Sequence, residues 1–350
     1  MIAHLNGSYY EQGKQLGRGF SQEIIFNIRL VNQLLEEKKA DREQYLQYVM
    51  KQYRFTEQKS PEIAEQIEGI AEGACLKTED VVLVNIPFYF FAERFAAECS
   101  VVVAHGAATL DGSTYMFKNR DMKHGFIQLV LDRTFPDGRR VIEEDVAGCV
   151  NMAGAGVNSD GLILGTTGVS SPQWPRNLDL IGKVKSALSP HSFLYQCSGV
   201  EDVLDLLKEK APYKVSHSNL VVADEKRAAA IEVTESGYRV MESENGMLVR
   251  TNHFVTEDYR KYSPSKELYP STYLRYERAA SYLKEHYGKI RFQEMLNLAS
   301  DHENGPVNCI CRHGDGGGSR TLCMSIMNAQ DRAMWTAMGN PCEAMLYTPV

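Results

Sequence analysis

The residues best suited to chemistry are a cysteine and two polar residues that a hairpin would bring beside it. Cys99 opens the first of several short β-type runs, directly after a long helical pattern. A thiol is a strong nucleophile only as the thiolate, so a catalytic cysteine needs a nearby base or a lowered pKa. The sequence TLDG at 109–112 predicts a turn that returns Asn119 and Asp121 beside Cys99. A carboxylate there would shift the titration of a neighbouring thiol or ammonium.

The same residues also have a purely structural interpretation. Most free cysteines behave as small buried hydrophobic residues. Asn119 and Asp121 could equally form the solvated end of a strand. From these residues alone, the structural interpretation of Cys99 is favoured, and the catalytic hypothesis needs support from the rest of the chain.

The other cysteines indicate neither a disulfide framework nor a metal site. The eight cysteines show no regular spacing, and a chain of 350 residues does not need disulfides. Cys309, Cys311 and His313 could supply two or three metal ligands, but no second Cys/His cluster at zinc-finger spacing accompanies them. We therefore expect free thiols, no metal and no organic cofactor.

The elements that must position these residues differ in pattern on the two sides of Cys99. From residue 7 to about 97, apolar residues recur at three- and four-residue spacing, which predicts helices, and Pro61 is a typical helix start. From Cys99 onward β-type runs dominate, and PDGRR at 136–140 predicts a hairpin turn. The β-type runs are SVVVA, STYMFK, FIQLVLDRTF, GLILGTT, SNLVVAD, AAAIEVT, TLCMSIM and RAMWTAM. Four later helices are predicted, at Leu178–Leu188, Val200–Lys210, Thr272–His286 and Phe292–Ser300.

This organisation predicts an α+β fold built in layers. Sheets with helices grouped apart from them are typical of that class. We expect a helical segment over 1–98 and a catalytic segment over 99–350 that together form one structural domain, since the amphipathic helices of the first segment need a surface on which to be buried.

Composition excludes several classes of partner. The net charge of -7, with basic and acidic residues interspersed, leaves no basic face for nucleic acid or for anionic lipid. The N-terminus lacks the pattern of a secretory signal, and the longest apolar stretch, 81–97, is interrupted by polar residues and a proline. We expect a cytoplasmic protein with a small-molecule substrate, and homo-oligomerisation is left open.

A series of short motifs carries a resemblance that spans nearly the whole chain. In order they are GSYYEQGKQLG at 7–17, EQIEGIAEGA at 65–74, Cys-Ser at 99–100, KNRDM at 118–122, NSDGLILGTTG at 158–168, SNLVVADEKRAAAIEV at 218–233, TNHF at 251–254, ICRH at 310–313 and GNPCEAMLY at 339–347. Together they resemble the penicillin acyltransferase-like family, which belongs to the N-terminal-nucleophile hydrolases.

The resemblance implies a four-layer αββα fold and self-cleavage of the bond between Glu98 and Cys99. The products would be segments of 98 and 252 residues, since 350 minus 98 is 252. Cleavage converts the amide nitrogen of Cys99 into an α-amine with a reference pKa of about 7.7–8.0, which can serve as the base. The implied reaction is hydrolysis or transfer of an acyl group from a linear amide through an acyl-Cys99 intermediate, with acyl-coenzyme A as a further donor.

Roles for other residues follow from the same resemblance. Asp121 would help to fix the amine, and Asn252 would donate to the oxyanion. Arg312 is the candidate for the positively charged site residue, with Arg275 and Arg320 as alternatives. The resemblance also implies four substrate contacts, which are Lys118, Asn119, Asn158 and His253. Asn158 belongs to a turn that includes Gly161. Turn formation alone would explain Asn158, and an exposed lysine is the simpler interpretation of Lys118.

One departure from the family pattern keeps other functions open. The related acyltransferases have Gly before the nucleophile, whereas this chain has Glu98, and glycine tolerates strained backbone better than other residues do. The alternatives are an uncut hydrolase that uses Cys99 with His253 or His105, and a non-catalytic binding protein that keeps the fold.

Overall fold

A computed structural model gives the fold of the chain. It describes residues 1–37, 39, 41–85, 97–150, 153–169, 190–210, 217–234, 237–315 and 318–349. The helix predicted at Leu178–Leu188 lies outside these residues. In the described part, no helix is long and apolar enough to cross a membrane.

The first part of the chain is mainly helical, as its apolar spacing predicts. Its helices are α1 (Tyr9–Gly19), α2 (Ser21–Glu37), α3 (Arg42–Lys59), α4 (Pro61–Ala74) and α5 (Thr78–Asn85). Pro61 begins α4, as predicted. The segment also contributes a strand that its sequence did not indicate, β1 (Ile2–Asn6).

Two of the motifs that carry the resemblance form one helix pair. Gly13 and Gly17 of α1 face Gly69 and Gly73 of α4. A Cβ atom at any of the four would lie 2.2–2.4 Å from a backbone oxygen of the opposite helix. The two backbones are therefore in direct contact, and only glycine allows this approach.

The remaining strands form two sheets. They are β2 (Ala97–Ala104), β3 (Tyr115–Met122), β4 (Gln128–Thr134), β5 (Arg140–Val146), β6 (Ala155–Asn158), β7 (Ile163–Gly168), β8 (Ser218–Ala223), β9 (Ala228–Thr234), β10 (Gly237–Glu242), β11 (Met247–Arg250), β12 (Arg320–Asn328), β13 (Ala333–Met338) and β14 (Leu346–Tyr347). One sheet has the order β1-β4-β5-β6-β7-β8-β9-β10, and the other has the order β11-β2-β3-β12-β13-β14. All eight predicted β-type runs lie in these strands, and the predicted turn at 136–140 joins the antiparallel pair β4 and β5.

Helices cover the outer face of each sheet. The later helices are α6 (Pro190–Gln196), α7 (Val200–Lys210), α8 (Glu257–Arg260), α9 (Pro270–Glu285) and α10 (Phe292–Ala299). Apolar side chains of β2, β6 and β8 meet between the two sheets. Helices α6 and α7 pack on the larger sheet, and α9 and α10 pack on the smaller one. The predicted four-layer αββα class is thus confirmed, as are the helices predicted at 200–210, 272–286 and 292–300.

Candidate active site

Strand register places Asn252 beside Cys99. β11 pairs antiparallel with β2 and ends at Arg250, which lies opposite Val101. Because the two strands are antiparallel, the residue two positions after Arg250 lies near the residue two positions before Val101. These residues are Asn252 and Cys99. The Cys99 backbone N–H donates to Asn252 Oδ1 at 2.8 Å, and Cys99 is buried.

Helix α9 holds Asn252 in this position. The backbone N–H of Asn252 donates to Thr272 Oγ1 at 2.7 Å, and Arg275 Nη2 donates to Asn252 Oδ1 at 2.9 Å. Thr272 and Arg275 lie three residues apart and so share one helix face. Asn252 Nδ2 donates to the Gly168 carbonyl at 2.7 Å. An amide nitrogen carries two N–H bonds, so a second donor remains on this atom.

Arg275 is the arginine that contacts Cys99. It is fully buried, and its Nη1 donates to the Cys99 carbonyl at 2.6 Å and to Ser100 Oγ at 3.0 Å. A planar guanidinium suits this task because its donors project in fixed directions. The sequence left Arg275 as an alternative to Arg312, and the geometry places Arg275 against Cys99.

Arg312 contacts Glu98, the residue before the Glu98–Cys99 bond, whereas Arg275 contacts Cys99, the residue after it. The Arg312 guanidinium forms a buried ion pair with the Glu98 carboxylate. Its backbone N–H donates to Thr321 Oγ1 at 3.0 Å. Burial lowers the pKa of Arg312 to about 10, which leaves the group cationic at neutral pH. The third candidate, Arg320, is exposed at the start of β12.

Asp121 lies directly opposite Glu98 on the neighbouring strand β3. It is fully buried, its Oδ1 accepts from Thr321 Oγ1 at 2.7 Å, and its Oδ2 has no hydrogen-bond partner among the described residues. Burial raises the pKa of Asp121 to about 7, against the opposing effects of Arg275, the Thr321 hydrogen bond and Lys118. The site therefore contains a carboxyl group with one oxygen available to a new donor.

The face of β2 that carries Cys99 meets a buried charge cluster. Cys99 pairs with Arg120, and Val101 pairs with Lys118, so these side chains point to the same face. Glu144 Oε1 lies 3.1 Å from Arg120 Nε and 3.4 Å from Lys118 Nζ. Lys118 is 1% exposed, so the interpretation of this residue as an exposed lysine is wrong. It is also paired with Glu144, so a substrate carboxylate would compete with that ion pair.

Two residues at the site escaped the sequence analysis. Glu144 lies in β5, where three consecutive acidic residues, 143–145, are all buried. Three acids within a buried strand are the signal that could have revealed it. Tyr269, just before α9, lies close enough for the charges of Cys99, Asp121 and Arg275 to act on its hydroxyl, and burial raises its pKa. No feature of the sequence around Tyr269 indicates that this residue lies at the site.

Two of the predicted substrate contacts, Asn119 and Asn158, have side-chain amides that bind backbone carbonyls. Asn119 Nδ2 donates to the carbonyls of Ala299 and Ile310 at 2.9 and 3.0 Å. Asn158 Nδ2 donates to those of Leu194 and Cys197 at 2.8 and 2.7 Å, and its Oδ1 closes the turn that contains Gly161. Both amides therefore join elements of the fold, and neither contacts Cys99 among the described hydrogen bonds.

The described hydrogen bonds of the two candidate histidines go to residues other than Cys99. His253 Nδ1 lies 2.9 Å from Thr272 Oγ1 and 3.1 Å from Thr251 Oγ1, and its ring stacks on Tyr273. His105 Nε2 lies 2.7 Å from Ser243 Oγ. At about 3.3 Å per residue, six positions along an extended strand separate His105 from Cys99 by roughly 20 Å. Burial, and then Arg275, Arg250 and Arg260, lower the pKa of His253 to about 3.

We expect the His253→Gln variant to lose part of the acid sensitivity of the wild type. The folded pKa of His253 is about 3, below the ordinary value of 6.5. A depressed histidine pKa contributes stability that is complete above about pH 6.5 and is lost as the pH falls from there towards about 3. At about pH 5 this costs the wild type about 2 kcal/mol relative to about pH 8. Urea unfolding at the two pH values measures this, and equal losses in both proteins would contradict it.

A comparison with models of known protein families finds a match over most of the chain. The model of the family described as acyl-coenzyme A:6-aminopenicillanic acid acyl-transferase matches residues 109–343. The match begins after Cys99 and includes Asp121, Asn252, Arg275 and Arg312.

Solved structures that resemble the chain have low sequence identity. A variant of the conjugated bile acid hydrolase from Clostridium perfringens is 15% identical, with a TM-score of 0.44 over 72% of this chain and 96% of that one. The penicillin V acylase from Agrobacterium tumefaciens is 14% identical, with a TM-score of 0.45 over 69% of this chain and 83% of that one.

Proposed function

Because the chain belongs to the acyl-coenzyme A:6-aminopenicillanic acid acyl-transferase family, we propose that it is a self-processing cysteine amidohydrolase or acyltransferase. Its substrate is a linear amide, either an N-acyl or a peptide-like small molecule, and the reaction passes through an acyl-Cys99 intermediate. The observation that carries the proposal is the contact between the Cys99 N–H and Asn252 Oδ1, with Arg275 bound to both residues.

The first step is cleavage of the bond between Glu98 and Cys99. The Cys99 thiol attacks the Glu98 carbonyl carbon, the C–N bond breaks, and the acyl group moves to sulfur as the nitrogen takes up a proton to become an amine. Water then hydrolyses the thioester. Arg312 is paired with the Glu98 carboxylate, and Arg275 binds the Cys99 carbonyl, so both sides of the bond have charged anchors. The charge of Glu98 is thereby balanced, which supports cleavage despite the absence of glycine.

The new amine is the base for the reaction with substrate. Its reference pKa of about 7.7–8.0 leaves a useful neutral fraction at working pH. It takes the thiol proton, and the thiolate attacks the substrate amide. We propose that the unpaired oxygen of Asp121 accepts a hydrogen bond from the resulting ammonium, because Asp121 lies on the neighbouring strand.

The oxyanion is bound by the second N–H of Asn252 Nδ2. Collapse of the tetrahedral intermediate expels the substrate amine, which takes the proton from the ammonium and leaves the acyl-Cys99 thioester. Attack by water completes hydrolysis, and attack by another amine completes acyl transfer. We also propose that Lys118, Asn119, Asn158 and His253 contribute to substrate binding, and that their buried contacts with neighbouring residues hold them in place.

A substrate panel tests the proposed function. N-acyl amino acids, dipeptides and acyl-coenzyme A donors are offered to the wild type and to Cys99→Ala, and release of amine, acid or coenzyme A is followed by mass spectrometry. We expect turnover of at least one amide by the wild type and none by the variant. Equal turnover by the two proteins would refute the role of Cys99.

A further inference from the structure

Four potential metal ligands converge on the outside of the smaller sheet. His302, Cys311, His313 and Cys342 each offer one ligand atom, and these four atoms all lie within 4.8 Å of one another. Cys311 is buried, whereas the other three are partly or largely exposed. Two imidazoles and two thiols are a typical ligand set for zinc.

The fold assembles this set from three separate segments. His302 follows α10, Cys311 and His313 precede β12, and Cys342 lies in the turn after β13. Backbone bonds connect two of these segments, since the Cys311 N–H donates to the Asp301 carbonyl at 3.0 Å. The spacing in sequence is unlike that of a zinc finger, which is why sequence analysis led us to expect no metal.

Three of the distances between the ligand atoms are close to those of a tetrahedral zinc site. Zinc bonds of about 2.3 Å to sulfur and about 2.0–2.1 Å to nitrogen require separations of about 3.8 Å for S···S, about 3.6 Å for S···N and about 3.4 Å for N···N. Here Cys311 Sγ and Cys342 Sγ are 3.6 Å apart, Cys342 Sγ and His313 Nε2 are 3.4 Å apart, and His302 Nε2 and His313 Nε2 are 3.0 Å apart. The three pairs agree with a tetrahedron to within a few tenths of an ångström.

One ligand has a hydrogen-bond donor outside the cluster, and a carboxylate lies near another. Asn340 Nδ2 lies 3.5 Å from Cys311 Sγ, so an N–H bond points at the sulfur. His313 presents Nε2 to the cluster, and its other ring nitrogen, Nδ1, lies 3.8 Å from the Glu343 carboxylate. This separation is longer than a hydrogen bond, so the carboxylate contributes charge near the cluster and does not fix the ring.

We propose that His302, Cys311, His313 and Cys342 bind one zinc ion. The two thiols lose their protons on binding, and the two imidazoles bind as neutral rings. Four protein ligands leave no open position, which is the pattern of a structural site. The site revises the set considered from sequence. Cys309 is not a ligand, because its Sγ lies 2.8 Å from the Cys311 carbonyl oxygen.

The metal would hold the segment that carries Arg312. Arg312 lies between the ligands Cys311 and His313, and its guanidinium pairs with Glu98. The Asn340 side chain that contacts Cys311 Sγ also donates to the Arg312 carbonyl at 2.6 Å. Zinc would thus connect this segment to the loop after α10 and to the turn after β13.

Metal content tests the proposal independently of any enzymatic activity. The full chain is purified without a metal-affinity step and analysed by inductively coupled plasma mass spectrometry. We expect about one zinc per chain, and below about 0.1 in the double variant His302→Ala/Cys342→Ser. The control Cys75→Ser, which removes an exposed cysteine outside the cluster, should keep the full zinc content. Cobalt loading of the wild type should give the intense visible absorption of a tetrahedral site with thiolate ligands.

Two results would overturn the site. The first is a disulfide between Cys311 and Cys342, found by peptide mapping under non-reducing conditions in freshly purified protein. The second is a chain that purifies without zinc and shows no thiolate-to-cobalt absorption when titrated under reducing conditions. Because a variant could lose zinc by unfolding, each is checked by circular dichroism, and the cobalt spectrum of the wild type decides the question without any substitution.

Discussion

Replacing Cys99 with alanine is expected to leave the chain uncut at 39.4 kDa and to abolish amide turnover. Alanine lacks the thiol that attacks the Glu98 carbonyl, and without cleavage the nitrogen at position 99 stays an amide that cannot act as a base. The wild type should instead separate under denaturing conditions into segments of 98 and 252 residues, the latter being 350 minus 98. Intact-mass spectrometry measures both outcomes.

A buried cysteine elsewhere provides the matched control for this variant. Cys149 is 1% exposed and lies in the core beneath the N-terminal helices. Cys149→Ala should therefore cost some stability but still be cut. Full activity of wild-type protein at the uncut mass would favour the Cys/His hydrolase. If Cys99→Ala changed neither the integrity of the chain nor any amide-cleaving activity, both functions in which Cys99 is the nucleophile would be excluded.

Replacing Asn252 with aspartate is expected to reduce kcat by about 10²–10³. Aspartate keeps an oxygen where Oδ1 accepts from the Cys99 N–H and from Arg275 Nη2. It removes the Nδ2 donor, and with it both the hydrogen bond to the Gly168 carbonyl and the proposed hydrogen bond to the oxyanion. The substitution thus separates the donor role of this side chain from its acceptor role. Single-turnover acylation of the cleaved protein is the measurement.

The control for this variant makes the same chemical change away from the site. Asn297 lies exposed on α10, and Asn297→Asp should leave kcat within a factor of about 2. Thermal midpoints of both variants confirm that they are folded. An Asn252→Asp enzyme that acylates at the wild-type rate would remove Asn252 from the oxyanion site and leave it only a positioning role.

The arginines show where prediction from sequence reaches its limit. Three of them, at positions 275, 312 and 320, suited the role of a charged site residue, and spacing could not separate them. Arg275 is selected because α9 packs on β2 and turns this side chain towards Cys99, 176 residues away in the chain. Arg312 forms an ion pair with Glu98, the residue on the N-terminal side of the Glu98–Cys99 peptide bond. The first contact depends on the placement of α9 and the second on the path of the loop before β12, and local sequence patterns encode neither.

The sequence by itself predicted a helical first segment, eight later β-type runs, the change from helix to strand at Cys99, and the layered class of the fold. These properties follow from apolar periodicity and turn residues, which act over a few positions. Only the tertiary structure decided which polar groups meet. It showed Lys118 buried against Glu144 instead of exposed, and it joined His302 and Cys342 to Cys311 and His313. Such groupings depend on strand register and on loops that return from distant segments. Cys99, Asp121 and Asn252 were therefore candidates from the sequence through the family resemblance, whereas the contacts that Arg275 and Glu144 make came only from the fold.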